Sequence, residues 1–448
     1  MPNLVTFGAT EYMDGAMTLP VLRELLLRGT PSRGRGRPSR GRELTNPDSN
    51  DVEEHERERR RECKDLEALD LTGCISAVFV TALVEFVNNH LLVAPDSDSS
   101  DSDDDSRRSG RRARFARVQE ESLLLPGLQR LGLRGVRSIQ PQTLTPFVLA
   151  FPSLTHLDLS ATRVTPELLY ALGASQTVRL TSLALARCVM LTGKSIRDFL
   201  VEAPAAENIC ELTLYGDRTF PSPLSQQDLH DIFSLAPSFT SGEMLYLDLS
   251  SAPVTPEILC TACKSMPKLR SLGLSYIPDL QLDTVADFVL SKAPNVEILT
   301  LLGTSPELEL RSSARQASMA IHSKLIRVLC TLPPSSTNIA SPPSRVRVIE
   351  VSIPVLATLG AGAGSWRVIR SKGGRGWYVD TASGWVNGEL KRTLAVDHPL
   401  RRSLEHLAEL NGNVNSGVGW HARKMEVCFP FIAWIWVNKL TCYSNFVA

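Results

Sequence analysis

Three short runs carry residue types and spacings that chemistry uses. Gly193-Lys194-Ser195 has the ending of a phosphate-cradling loop, where backbone amides and a lysine surround phosphate oxygens. Cys260 and Cys263 are spaced as half of a zinc or redox site. His156, Asp158 and Ser160 alternate, so in an extended strand they share one face, as a base, an orienting acid and a nucleophile would. None is completed. The phosphate loop needs an earlier glycine, and position 188 is cysteine. The cysteine pair has no second pair and no nearby histidines. No G-x-S-x-G elbow surrounds Ser160, and the histidines form no HExxH spacing. The expectation is a chain that is not an enzyme and holds no cofactor or metal.

The elements around these runs explain them better. The frame L-x-x-L-x-L, with Ile, Val, Met or Phe tolerated, recurs as LRELLL (22–27), LEALDL (66–71), LQRLGL (128–133), LTHLDL (154–159) and LTSLAL (180–185). It returns as ICELTL (209–214), MLYLDL (244–249), LRSLGL (269–274), VEILTL (296–301) and VRVIEV (346–351), with a degenerate first copy, LVTFGA, at 4–9. Starts at 128, 154 and 180 lie 26 apart, and 244, 269 and 296 lie 25 and 27 apart. Helical patterns follow the frames. Thr165-Pro166-Glu167 opens one, with Leu168, Leu169 and Leu172 on one face, and Val254-Thr255-Pro256 opens another. The Gly193-Lys194-Ser195 run reads as such a helix start, and the cysteine pair falls on a return helix. One strand–turn–helix unit cannot bury its own apolar side, so the units must stack on a shared core.

The sequence resembles the leucine-rich-repeat family, and within it the cysteine-containing, ribonuclease-inhibitor-like subtype built on L-x-x-L-x-L-x-x-C. LEALDLTGC (Cys74) and LTSLALARC (Cys188) carry that cysteine, and proline precedes several strands, as in MPKLRSL and APNVEIL. The resemblance spans residues 4 to 354 and implies an α/β solenoid, a horseshoe with parallel strands on the concave face and helices on the convex face. It also implies substrate reception for an SCF-type ubiquitin ligase, as in F-box and leucine-rich-repeat proteins. No F-box helical module is seen, and a truncated start is expected.

In alternating strands the residues between the frame leucines point out onto the concave sheet. Arg130, Arg134, His156, Asp158, Glu211, Tyr215, Tyr246 and Asp248 are therefore the candidate protein-binding residues, since tyrosine and arginine anchor interfaces well. An ordinary wet sheet face is the plain alternative.

Lys+Arg and Asp+Glu both number 48, so attraction to nucleic acid or membrane is not global. Locally, residues 31–65 and 95–120 are too polar to fold and read as disordered insertions. The first contains RGRGRPSRGR, whose Arg35-Gly36-Arg37-Pro38 resembles an AT-hook core; Arg33, Arg35, Arg37, Arg40 and Arg42 are the nucleic-acid-binding candidates of an alternative reading, a nuclear regulatory factor. The second carries an acidic serine run suited to phosphorylation, or simply solvated. Nine scattered cysteines favour the reducing cytosol or nucleus, and the longest apolar run, about residues 427–437, is too short to span a membrane. The solenoid is expected over 1–354, with a loop at 333–344. A capping module at 360–426 follows, with a hairpin about Gly373-Gly374 and a helix through Leu400, Leu404, Leu407 and Leu410. The apolar tail, 427–448, reads as translated intron or as a buried terminal strand.

Overall fold

A computed structural model describes residues 4–9, 13–27, 65–92, 123–308, 314–330, 344–370 and 376–380. The chain divides into two compact units, Met1–Leu131 with Gly135–Leu154, and Gly132–Arg134 with Thr155–Ala448. The Arg/Gly and acidic insertions, the helix expected at 400–410 and the apolar tail lie outside the described residues.

In the first unit, β1 (Thr6–Gly8) pairs in parallel with β2 (Ala68–Asp70). Helices α1 (Leu19–Leu26) and α2 (Ala77–Phe86) pack together behind them, and α3 (Pro141–Leu149) packs on the π-type turn Val87–Leu91. Asp14 holds the start of α2: its Oδ2 accepts from the N–H groups of Ile75 and Ser76. Leu22, Leu69, Phe79, Leu83, Phe86 and Phe147 fill the core. The short strand β3 (Arg130–Gly132) carries the division between the units.

The second unit has the repeat in its plainest form. Strands β4 (His156–Asp158), β5 (Ser182–Ala184), β6 (Glu211–Thr213), β7 (Tyr246–Asp248), β8 (Ser271–Gly273), β9 (Ile298–Thr300) and β10 (Val348–Glu350) pair in parallel, in sequence order. Between them run α4 (Pro166–Ala174), α5 (Gly193–Glu202), α6 (Gln226–Leu235), the short α7 (Pro237–Thr240) and α8 (Leu282–Lys292). A π-type turn, Ile258–Ala262, takes the helix's place after β7. The return from β9 joins α9 (Ala314–Ala320) through a π-type turn, Ile321–Ile326, to α10 (Arg327–Cys330). Helix α11 (Ile353–Thr358) leads to a hairpin of β11 (Trp366–Arg370) and β12 (Gly376–Asp380), with β12 antiparallel to β10 at the end of the sheet.

Local chemistry sets these elements. Proline at the first turn of α4 and α11 has no N–H to lose and a preset φ. Thr192 with Ser195, and Ser225 with Asp228, form reciprocal caps on α5 and α6. Ser195, the end of the phosphate-loop look-alike, is therefore a helix-capping residue. Leu157, Leu183, Leu212, Leu247, Leu272, Leu299 and Ile349 are all buried at matching register. Each such side chain contributes about 1.5–3 kcal/mol relative to exposure. This is a leucine-rich-repeat fold.

Strands β4, β5, β7, β8 and β9 then turn the same way. Two residues beyond the last frame leucine, Ala161, Arg187, Ser251, Tyr276 and Gly303 adopt φ values of 55° to 68°. This left-handed turn lets the ladder continue past the strand: Ala161 N–H donates to Ala186 O, Arg187 to Tyr215, Ser251 to Ser275 and Tyr276 to Leu302. One residue further on, Thr162 and Cys188 both donate to Leu159 O, and Thr304 donates to Leu274 O. A threonine hydroxyl does the work of the cysteine thiol. No helix among the described residues is long and apolar enough to cross a membrane.

Candidate protein-recognition face

The outer face of the second unit's sheet, turned away from its helices, carries three columns of side chains. Register places His156, Ser182, Glu211, Tyr246 and Ser271 in the first. Asp158, Ala184, Thr213, Asp248 and Gly273 form the second. Ser160, Ala186, Tyr215, Ser250 and Ser275 follow in the third, two residues past each strand position of the second. Arg134 belongs to this unit; Arg130 belongs to the other.

These columns are not a wet surface. Asp158, Glu211, Tyr215, Tyr246 and Asp248 are buried, and Arg134 and His156 are half-buried. Several of their polar atoms have structural duties. Asp158 Oδ1 accepts from the Ser160 N–H at 2.9 Å, and Asp248 Oδ1 accepts from the Ser250 N–H and hydroxyl. The serines accept in turn from the next repeat: Ser160 Oγ from Ala186 N–H, Ser250 Oγ from Ser275 N–H, and Ser275 Oγ from Leu302 N–H. Ser182 Oγ donates to Glu211 Oε2 at 2.8 Å. Gly273 is where the Asp248 carboxylate leans across; a Cβ there would stand 2.5 Å from Asp248 Cγ.

The alternating His156, Asp158 and Ser160 do not form a relay among the described residues. Ser160 Oγ faces a backbone amide, and His156 Nδ1 lies 2.9 Å from Thr155 Oγ1. Cys260 is exposed while Cys263 is buried with its thiol against Lys264 O, so the pair does not converge. Among the described residues no group of three metal-ligating side chains comes together.

A feature that the outward columns gave no hint of lies at the turn edge. Frames starting at 209 and 244 are 35 apart, and part of the surplus lengthens the loop 216–224: twelve residues separate β6 from α6, against eight between β5 and α5. Asp217 organises it: Oδ1 accepts from the N–H groups of Thr219 and Phe220, both at 2.8 Å. Its Oδ2 lies 3.1 Å from Arg187 Nε, an ion pair whose N–H is not aimed along the line of contact. The Arg187 guanidinium sits 5.0 Å above the centre of the Phe220 ring. Gly216 is required by crowding rather than by φ, since a Cβ would stand 2.6 Å from Ser222 N. Between this loop and the preceding turn lies a cavity of about 200 Å3, walled by Val189, Leu191, Ile196, Leu214, Phe220 and Pro223 among others. The uneven repeat length was the signal in the sequence; the Arg187–Asp217–Phe220 clamp left no pattern of its own.

No family model matches the chain, and no curated protein matches it. Among solved structures, a chain of the yeast Rad7–Elc1 complex is 16% identical, with 57% of this chain and 69% of that chain covered and a TM-score of 0.33. The leucine-rich-repeat-containing protein LegL7 of Legionella pneumophila is 15% identical, covering 52% of this chain and 80% of that one, with a TM-score of 0.29. Neither overlap speaks for activity or partner.

Proposed function

We propose that this chain is a non-catalytic protein-recognition module, with its partner held on the outer strand face and turn edge of the second unit. The observation that carries this reading is the register itself. It lines up His156, Glu211, Tyr215, Tyr246, Asp158 and Asp248 on neighbouring strands and turns; Arg134 and, in the first unit, Arg130 hold the corresponding positions of the repeat frame. Aromatic and arginine side chains contribute most strongly at protein interfaces. Asp158, Asp248 and Glu211 already serve structural bonds and the two tyrosines are buried, so the half-buried His156 and Arg134 are the side chains we assign to partner contact. Cross-linking on the full chain in cells, followed by capture, tests it with the half-buried pair Arg134→Glu and His156→Glu. At least tenfold weaker capture at unchanged melting temperature is expected. Unchanged capture for these and for Tyr246→Phe with Glu211→Gln would end the reading.

The finer proposal, a substrate receptor of an SCF-type ubiquitin ligase in cytosol or nucleus, rests on the resemblance to the cysteine-containing subtype at Cys74 and Cys188. Co-purification with the SCF scaffold supports it, and absence of that scaffold from a captured complex removes it. The alternative, a nucleic-acid-associated factor, rests on Arg33, Arg35, Arg37, Arg40 and Arg42. Nucleic-acid binding that survives deletion of residues 33–42 counts against it.

A further inference from the structure

The outer strand face of the second unit is drier than an open sheet face. Register carries its first column on through Ile298 and Val348 to Val379, and its second through Thr300 and Glu350 to Trp377. Tyr378, between Trp377 and Val379, pairs with the buried Ile349 and lies against His322 on the helix side, so its two neighbours face outward. Yet Val379 is 0% exposed, Val348 1%, Trp377 3% and Tyr246 5%. A ring that stands on an open sheet beside its strand neighbours keeps its outer surface in water, and a second layer is needed to remove it. The described helices of this unit lie behind the sheet and supply no such layer.

Length and charge select what could form that layer. The Arg/Gly and acidic insertions belong to the first unit. In the second, the longest stretch outside the described residues follows Asp380: 68 residues at 381–448, against 13 at 331–343. It leaves from β12, a strand of the sheet itself. Crossing from β12 to β4 covers about 34 Å at roughly 4.8 Å per strand, which about ten extended residues span. The outward strand positions from β4 to β12 carry Asp158, Glu211, Asp248 and Glu350 and no lysine or arginine. Residues 385–402, WVNGELKRTLAVDHPLRR, carry Lys391, Arg392, Arg401 and Arg402 against Glu389 and Asp397, with apolar side chains between them. An acidic face with an apolar end thus stands within reach of a basic, apolar segment of the same chain.

We propose that residues 385–402 lie across the outer strand face, and that a partner protein must displace them to bind. Their apolar side chains cover the end formed by Ile298, Val348, Val379 and Trp377, and their cations meet the carboxylates further along. A tethered segment acts on its own face at roughly millimolar effective concentration, so even weak contact excludes a dilute partner. The recognition face therefore carries its own competitor. This inference deepens the recognition function proposed above and rests on it.

Hydroxyl-radical footprinting, read by peptide mass spectrometry at Tyr246 and Trp377, tests the occupancy. The full chain is compared with its Lys391→Glu/Arg392→Glu/Arg401→Glu/Arg402→Glu variant and with a chain ending at Asp380. Phe233, fully buried behind the sheet, reports folding by staying protected in all three. Both rings should oxidise at least threefold faster in the charge-reversed variant and at least tenfold faster in the shortened chain. A synthetic peptide of residues 385–402, added at roughly 1 mM to match a tethered segment, should restore protection to the shortened chain. The same peptide with its four cations replaced by glutamate should not. Equal protection in all three proteins, or equal rescue by both peptides, overturns the occupancy. Partner capture should rise at least fivefold in the charge-reversed variant. Bared rings with unchanged capture overturn displacement by the partner alone, while capture that also ignores Arg134→Glu and His156→Glu overturns the recognition function itself.

Discussion

A thiol reacts through its thiolate, and burial denies that form to several cysteines of this chain. Cys188 and Cys263 are desolvated, and their pKa values are pushed up to about 12. At pH 8 roughly one molecule in ten thousand carries either thiolate. Cys260, three positions from Cys263, is exposed. Iodoacetamide at pH 8 should therefore label Cys260 in the folded protein and reach Cys188 and Cys263 only in denaturant, as peptide mass spectrometry would show. Comparable native labelling of Cys188 would contradict its place against Leu159 O. Gly273 offers a second check. A methyl group there must displace the Asp248 carboxylate that anchors the Ser250 turn. Gly273→Ala should cost about 1–3 kcal/mol in denaturant unfolding. In the Asp248→Ala background the same change should cost much less, because the two positions share one space.

Repeat elements are where the sequence speaks most clearly, and also where it misleads. Leucines at a 25- to 27-residue period announce the strands because burial selects them and nothing else would space them so. Thr165-Pro166 announces a helix start by its backbone chemistry. The turn between them is hard to read, because the left-handed position is filled by Ala161, Arg187, Ser251 and Tyr276 as well as by glycine. Cooperative ladder bonds hold these residues in a conformation that their side chains disfavour. Ala161→Gly should raise the free energy of unfolding in denaturant, by up to about 1 kcal/mol after glycine's own entropy cost. Gly303→Ala should lower it by a similar amount. The same reasoning explains the polar face. Alternation marks Asp158 and Asp248 as outward, as residues of the strand face should be, but says nothing of the amides two residues on that occupy them.

At the scale of the second unit, the sheet ends in an antiparallel hairpin. Tyr378 is fully buried there, with its hydroxyl accepting from Ala363 N–H and lying 3.3 Å from His322 Nε2. Trp366 packs on the same ring. Desolvation holds the His322 pKa below its usual value. Above about pH 6.5 the ring is neutral whether folded or unfolded, and the hairpin's docking is at full strength. As pH falls below that, the unfolded chain takes up a proton that the docked ring resists, and stability is lost towards the folded pKa. Hydrogen exchange of the Gly376–Asp380 amides, corrected for intrinsic rate, should quicken between pH 7.5 and 5.5, and His322→Gln should flatten the change. Removing residues 361–448 should bare the β10 edge and drive self-association visible by light scattering. From sequence, Gly373-Gly374 marked the hairpin, but its pairing with β10 was not legible: strand adjacency across a return is a long-range choice that local pattern does not encode.

The ladder that runs from each strand through its turn into the next repeat has a mechanical corollary. Pulled apart by its two ends, the second unit would be loaded so that neighbouring coils peel away one after another instead of yielding together. Each rupture would release about 26 residues, or roughly 9 nm of slack. A force-extension trace would then resemble a staircase, with a longer tread at the 35-residue repeat that holds the Asp217 loop and the longest at the 50-residue repeat between β9 and β10.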